Sequence, residues 1–273
     1  MKLVSLASGS NGNCAYVGTE GTHILVDAGC SKKRIEEGLS TLSLSLADIN
    51  AIFITHEHAD HIASLHTVLK KYRIPVYLTR GTGEGVLNAF SKNASAARLV
   101  EDAIEEDFTY VRADEAVSVG DVSVAPLRIS HDALEPVAYR FCAQGKNVAV
   151  ATDMGCFDDY TVKALQGMDA LLLEANHDIR MLQTGPYPYP LKQRILGDKG
   201  HLSNDASGAL LSRVLHDGLK AVMLGHLSER NNLQELAYET VRLEVEMGDT
   251  PYHASDFRLM VADRHLPSAA LSF

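Results

Sequence analysis

Six consecutive residues, His56-Glu57-His58-Ala59-Asp60-His61, follow directly on the β-branched and apolar run Ala51–Thr55. Behind them Ile62, Leu65, Val68, Leu69 and Tyr72 recur at helical spacing, so the six lie where a buried strand gives way to a helix. A fold that accepts this junction must gather four metal-capable side chains at the end of a buried strand. Imidazole and carboxylate at that density suit borderline divalent ions such as zinc, and their spread across a turn lets them face two ions instead of one. A solvated polar loop is a poor account of four potential ligands in six positions.

The surrounding chain predicts strands at Leu3–Ala7, Ala15–Gly18 and His23–Val26, an antiparallel meander broken by Gly, Asn and Ser turns. Further strands are expected at Val76–Leu78, Val117–Val119, Val122–Ile129, Val137–Cys142, Val148–Thr152, Ala170–Glu174, Ala221–Leu224 and Phe257–Val261. Helices are expected at Lys32–Leu39, Gly83–Phe90, Tyr160–Gln166, Asn204–Leu215 and Asn232–Glu246, with Ser203 and Asn231 capping the last two. This mixture predicts two sheets sandwiched between helices. With no repeat, low-complexity tract or linker, the 273 residues are expected to form one domain, 1–273. A formal charge of −10 argues against a general attraction to polyanions, so nucleic-acid contacts would have to be local. No apolar run approaches the ~20 residues of a membrane span. The opening lacks a signal peptide's apolar core, and the four cysteines form no CxxC pair, which together predict a cytoplasmic protein without membrane contact.

Three later positions repeat the context of a metal-capable residue directly after an apolar strand: His131 in Ile129-Ser130-His131-Asp132, Asp153 in Thr152-Asp153-Met154, and His226 in Leu224-Gly225-His226. Singly, each reads as a cap or turn residue; with the junction they form a set of seven. Leu25-Val26-Asp27-Ala28-Gly29, Thr55–His61, His131, Asp153 and His226, in that order, resemble the metallo-β-lactamase superfamily over about residues 1–265. The Ser8-Gly9-Ser10-Asn11-Gly12-Asn13-Cys14 opening and the stretch from Gly225 to Asn232 are similar to its YycJ (WalJ)-type branch. The resemblance implies a four-layer αββα sandwich, two mixed sheets flanked by helices, with two divalent metal ions between the sheets. His56, His58 and His131 would hold one ion, Asp60, His61 and His226 the other, and Asp153 would bridge them. Asp27 matches a residue that supports the HxHxDH loop from behind. Zinc is the first expectation for the ions, with manganese or iron as alternatives.

Two divalent ions roughly 3.5–4 Å apart lower the pKa of a bridging water towards ~7 and stabilise charge on attacking and leaving oxygens. A hydrolase using a metal-bridging hydroxide is therefore expected. The superfamily cleaves thioesters, lactones, β-lactams and phosphodiesters, and fold alone does not choose among them. Two features favour a phosphodiester. Glu174 in Leu173-Glu174-Ala175 and His201 in Gly200-His201-Leu202-Ser203 resemble the Glu…His-Ser arrangement of ribonuclease Z-like phosphodiesterases, in which a carboxylate could orient an imidazole that protonates the leaving alkoxide. Asp60, Glu174 and His201 are the expected catalytic residues. The second feature is Arg180–His201, where Arg180, Lys192, Arg194 and Lys199 against Asp198 give +3 (four minus one), beside Tyr187 and Tyr189. That could bind a single strand, although a solvated, proline-stiffened loop explains it equally well. His177, next to this segment, either touches substrate or caps the strand. The expected activity is a phosphodiesterase or nuclease, single-stranded or 5′-end exonuclease-like, on DNA or RNA. The alternatives are a thioester or lactone hydrolase on the same metals and a non-catalytic metal-binding regulatory protein. There is no room for the inserted domain of ribonuclease J, so substrate capture falls to the basic segment, a homodimer or a partner.

Overall fold

The computed structural model describes residues 1–91 and 93–273. One sheet holds β1 (Lys2–Ala7), β2 (Cys14–Gly18), β3 (His23–Val26), β4 (Ala51–Phe53), β5 (Val76–Leu78), β6 (Phe108–Tyr110) and the last strand, β14 (Leu271–Ser272), in the order β14-β1-β2-β3-β4-β5-β6. The other holds β7 (Val117–Val119), β8 (Val122–Arg128), β9 (Val137–Ala143), β10 (Lys146–Ala151), β11 (Ala170–Glu174), β12 (Ala221–Gly225) and β13 (Arg258–Val261), in the order β13-β12-β11-β10-β9-β8-β7. Each sheet is part antiparallel and part parallel. β3 to β6 run parallel in the first and β10 to β13 in the second. Strands β2, β11 and β12 are buried at every position, which is why they read as continuous apolar runs without alternation.

Between the sheets, Phe53 stacks on Tyr77 at 4.6 Å and meets Tyr139 edge-on at 5.1 Å, amid Val17, Ile24, Val124, Phe141, Val150 and Leu172. The first sheet's outer face is covered by α1 (Lys32–Ser40), α3 (Leu65–Tyr72), α4 (Arg80–Phe90) and α5 (Ala94–Glu106), through Ile35, Leu39, Leu65, Val68, Val86 and Val100. The one-turn α2 (Ala59–Ile62) precedes α3. The second sheet is covered by α6 (Asp159–Leu165), α9 (Asn204–Val214) and α10 (Gln234–Met247), through Val162, Leu165, Leu210, Leu211, Val241 and Val245. The layers are the αββα sandwich that the sequence predicts.

Three local expectations change. The proline-bearing segment after His177 is helical: α7 (Ile179–Thr184) and α8 (Tyr189–Leu196). Pro190 falls in the first turn of α8, where a missing N–H costs no helical bond. Helix α10 starts at Gln234 without a side-chain cap, because Asn231 bonds the Ser228 hydroxyl and Asn232 donates to the carbonyls of Ala175 and Asn176. Helix α5 and strand β6, absent from the sequence reading, complete the edge of the first sheet. No helix among the described residues is long and apolar enough to cross a membrane.

Candidate metal centre

Parallel strands deliver their carboxyl ends to one edge of a sheet, and ligand-bearing loops collect there. Asp27 follows β3, the HEHADH loop follows β4, His131 follows β8, Asp153 follows β10, Glu174 ends β11 and His226 follows β12. At Asp27, Asp153 and His226 the backbone is left-handed, with φ of 64°, 62° and 56°. Each such non-glycine residue costs of order 1–2 kcal/mol, so the surroundings must hold it. They do at His226, whose N–H donates to Ser8 Oγ at 2.7 Å and whose carbonyl accepts from Asn176 Nδ2 at 2.8 Å.

The HEHADH loop is pinned from behind. Asp27 accepts from the Thr55 N–H at 2.8 Å and the Thr55 hydroxyl at 2.9 Å, and its Oδ2 lies 2.8 Å from His61 Nδ1. Gly29 has no alternative here, since a Cβ would lie 1.6 Å from the Asp60 carbonyl oxygen. Asn13 donates its N–H to that same oxygen at 2.8 Å, and its amide reaches Asp60 Oδ2 at 3.3 Å. In the sequence Asn13 stands only within the Ser8–Cys14 opening, with nothing to suggest a contact.

Two groups of ligand atoms result. His56 Nε2, His58 Nδ1 and His131 Nε2 converge, with separations of 3.1 Å from His56 to His58 and 3.2 Å from His58 to His131. Asp60 Oδ2, His61 Nε2 and His226 Nε2 form the second, at 3.6 and 3.5 Å from the carboxylate. Between them Asp153 Oδ2 lies 3.4 Å from His61 Nε2, while Oδ1 is 3.8 Å from His131 Nε2. Asp153 Oδ2 is buried without a hydrogen-bond partner. A carboxylate oxygen left so costs several kcal/mol unless a cation meets it. That orphaned oxygen among five imidazoles and a second carboxylate fits two divalent ions.

Glu174, fully buried, is the hub of the opposite wall. Its Oε1 accepts from His201 Nδ1 and His226 Nδ1, each at 2.9 Å, and its Oε2 accepts from the N–H groups of Met154 at 2.7 Å and Leu202 at 3.2 Å. Each imidazole thereby turns its Nε2 edge away from Glu174. Burial alone would raise the Glu174 carboxyl, but His201 and His226 beside it hold it well below the usual range. Burial would likewise lower His226, and Asp153, Asp60 and Glu174 overrule it and push it up to about 10. His61 is also raised, by Asp153, Asp27 and Asp60 against burial. His56 and His131 go down, through burial first. In the metal-free centre the carboxylates thus favour protons on His61 and His226, while burial disfavours them on His56 and His131.

A cavity of about 220 Å³ opens over this centre, lined by the candidate site residues His58, Asp60, Asp153, His201 and His226 together with Ser10, Asn176, Ser228, Tyr187, Leu191, Arg194 and Ile195. Of the basic segment, only Arg194 lines it. Arg194 is bonded through Nε and Nη2 to Asp132, a partner the sequence did not suggest. Lys192 Nζ donates to the Gln183 carbonyl at 2.7 Å, tying α8 to α7, while Arg180 and Lys199 are exposed outside the cavity. His177 is buried beside Asn176, in a bridge to Ser203, with its pKa pushed down to about 4 by burial, and it does not line the cavity.

The model of the β-lactamase superfamily domain matches residues 22–227. The chain is 37% identical over 241 residues to the exodeoxyribonuclease YycJ of Bacillus anthracis, covering 88% of each chain. It is 36% identical over 248 residues to the exodeoxyribonuclease WalJ of Streptococcus pneumoniae serotype 2, covering 91% of this chain and 89% of that one. Its fold is similar to the metallo-β-lactamase fold protein YhfI from Bacillus subtilis, with a TM-score of 0.66 and 14% identity over 98% of each chain. With three quarters of its length inside the matched domain and the ligand-bearing loops gathered at one sandwich edge, the chain belongs to the β-lactamase superfamily.

Proposed function

We propose that this protein is a dinuclear metal-dependent phosphodiesterase that removes nucleotides from the ends of DNA, taking an unpaired strand into the cavity. The observation that carries the reading is Glu174, which holds a candidate ligand, His226, and a candidate proton donor, His201, on one oxygen. The relatives' exodeoxyribonuclease activity supports the same reading. His56, His58 and His131 would hold one ion, Asp60, His61 and His226 the second, and Asp153 both, with zinc the first choice. Such ions supply Lewis acidity and offset charge on a phosphodiester. His201 lines the cavity, and with Nδ1 on Glu174 its Nε2 can pass a proton to the departing oxygen. Asp27 and Thr55 keep His61 in the tautomer that leaves Nε2 available.

The test is hydrolysis of bis-p-nitrophenyl phosphate and of an end-labelled DNA strand by the metal-loaded protein. Asp153→Ala should abolish both, and His201→Ala should lower kcat by about 10²–10⁴. Hydrolysis of thioesters with indifference to His201→Ala, and none of the phosphodiester, would refute the proposal.

A further inference from the structure

The turn Gly9–Gly12 meets the Asp60, His61 and His226 group and no other ligand. Gly9 and Gly12, with φ of 147° and 139°, open and close it, and the Gly12 N–H donates to the Gly9 carbonyl at 2.9 Å. Ser10, between them, lines the cavity. Asn13, 7% exposed, ties the turn down: its Oδ1 accepts from the Gly9 N–H at 2.8 Å. With the oxygen committed there, the NH₂ faces the other way. Asn13 Nδ2 lies 3.3 Å from Asp60 Oδ2 and 3.1 Å from His61 Nε2, two of the three ligand atoms of the group. The third belongs to His226, whose N–H donates to Ser8 Oγ at 2.7 Å. Among the described residues, the Asp60 carboxylate meets hydrogen-bond donors only on Asn13 and, at 3.5 Å, on His226, itself a candidate ligand. Its side chain is also the most exposed of the three, at 25% against 0% for His61 and 3% for His226. No hydrogen bond among the described residues joins this turn to the three-histidine group, where His56 Nδ1 meets the Thr55 hydroxyl and His131 Nδ1 the Gly200 carbonyl.

We infer that Asn13 is a positioning residue for one ion only, the one assigned to Asp60, His61 and His226, and that it acts by orienting the Asp60 carboxylate. The inference rests on the two-ion reading above. A carboxylate oxygen has two lone pairs, so Asp60 Oδ2 can keep the Asn13 N–H while it meets a cation; His61 Nε2 has one and gives it to the cation alone. The amide therefore need not leave when an ion enters. His61 and His226 have other holds, on Asp27 and Glu174, whereas Asp60 depends on Asn13. Without the amide, Asp60 must surrender rotamer freedom on binding an ion, and the Gly9 N–H loses its acceptor, so this ion position and the turn that carries Ser10 loosen together.

The experiment titrates metal-free wild type and Asn13→Ala with Zn²⁺ against a chromophoric chelator, which counts ions and reads each affinity without turnover. Wild type should take two ions. Asn13→Ala should hold one of them as wild type does and bind the other about 10–100-fold more weakly, the usual cost of removing a hydrogen-bond partner from a metal ligand. Two backgrounds assign the loss. In Asp60→Ala, adding Asn13→Ala should leave the remaining ion's affinity unchanged; in His58→Ala, it should weaken the remaining ion by the same about 10–100-fold. Should Asn13→Ala not fold by circular dichroism, Asn13→Ser, which keeps an oxygen in the turn but is too short to reach Asp60 Oδ2, is read in the same way. Equal weakening of both ions, weakening of neither, or an effect of Asn13 that persists in Asp60→Ala overturns the positioning role. Wild type that takes a single ion overturns the two-ion reading instead.

Discussion

Replacing Glu174 with glutamine removes one charge and no volume, and the geometry says it should be costly. The carboxylate receives four donors: two imidazole Nδ1 atoms on Oε1 and two backbone N–H groups on Oε2. A glutamine offers an acceptor on one side only. With its oxygen towards the histidines, its NH₂ opposes the N–H groups of Met154 and Leu202 and leaves both buried donors unpaired. With its oxygen towards the backbone, its NH₂ faces His201 and His226, which must switch tautomer and carry their protons on Nε2, the atoms meant for the metal and the substrate. Two unpaired donors at about 1–3 kcal/mol each give a loss of about 2–6 kcal/mol, a large share of the roughly 5–15 kcal/mol that stabilises a domain. Urea unfolding of the metal-free proteins should therefore place Glu174→Gln at least about 2 kcal/mol below wild type, and the tautomer conflict should weaken metal binding about 10–100-fold in a chelator competition. A variant within about 0.5 kcal/mol of wild type that binds ions equally well would mean that Glu174 does not hold the two histidines as described.

Metal loading should release protons. Asp153, Asp27 and Asp60 raise the His61 imidazole against burial, and His226 is pushed up to about 10, so calorimetry at pH 8 in two buffers of different ionisation enthalpy should find up to about two protons leaving as ions enter, with affinity rising with pH. For the same reason, the share of metal-free stability contributed by His226 is fully present below about pH 6.5 and fades as pH climbs through about 10, which unfolding midpoints across that range will read. Gly29→Ala puts a carbon 1.6 Å from the Asp60 carbonyl oxygen, and the loop must shift; metal content on purification should fall sharply while circular dichroism remains that of a folded protein.

The seven candidate ligands were legible because they fall in four segments that each follow a hydrophobic strand, β4, β8, β10 or β12, and strands running the same way in a sandwich bring such positions to one edge. The supports were harder to read. Thr55 and Asn13 act through a hydroxyl and an amide whose importance comes from what they touch, Asp27 and Asp60, across intervals of 28 and 47 residues. The basic segment reads equally as a strand-binding surface or as a proline-stiffened loop, with no helix expected, yet Pro190 falls where a helix tolerates it. Its charge also misled. Of the four cations, Arg194 is bound to Asp132 and Lys192 to a carbonyl, so the +3 counted along the chain is not a +3 facing the cavity.

The same contacts explain how the centre keeps its shape from the protein's side. His56 Nδ1 lies 3.0 Å from the Thr55 hydroxyl, His61 Nδ1 2.8 Å from Asp27, His131 Nδ1 3.0 Å from the Gly200 carbonyl and His226 Nδ1 2.9 Å from Glu174. Four of the five imidazoles therefore have their far nitrogen fixed by a neighbour that cannot easily move. His58 differs: its side chain is 28% exposed, and the carboxylate beside its Nε2, Asp132, lies at 3.7 Å, beyond hydrogen-bond distance. Asp132 in turn is positioned by Arg194. The imidazole held least by neighbouring side chains is thus His58, which makes the three-histidine group the less firmly held of the two.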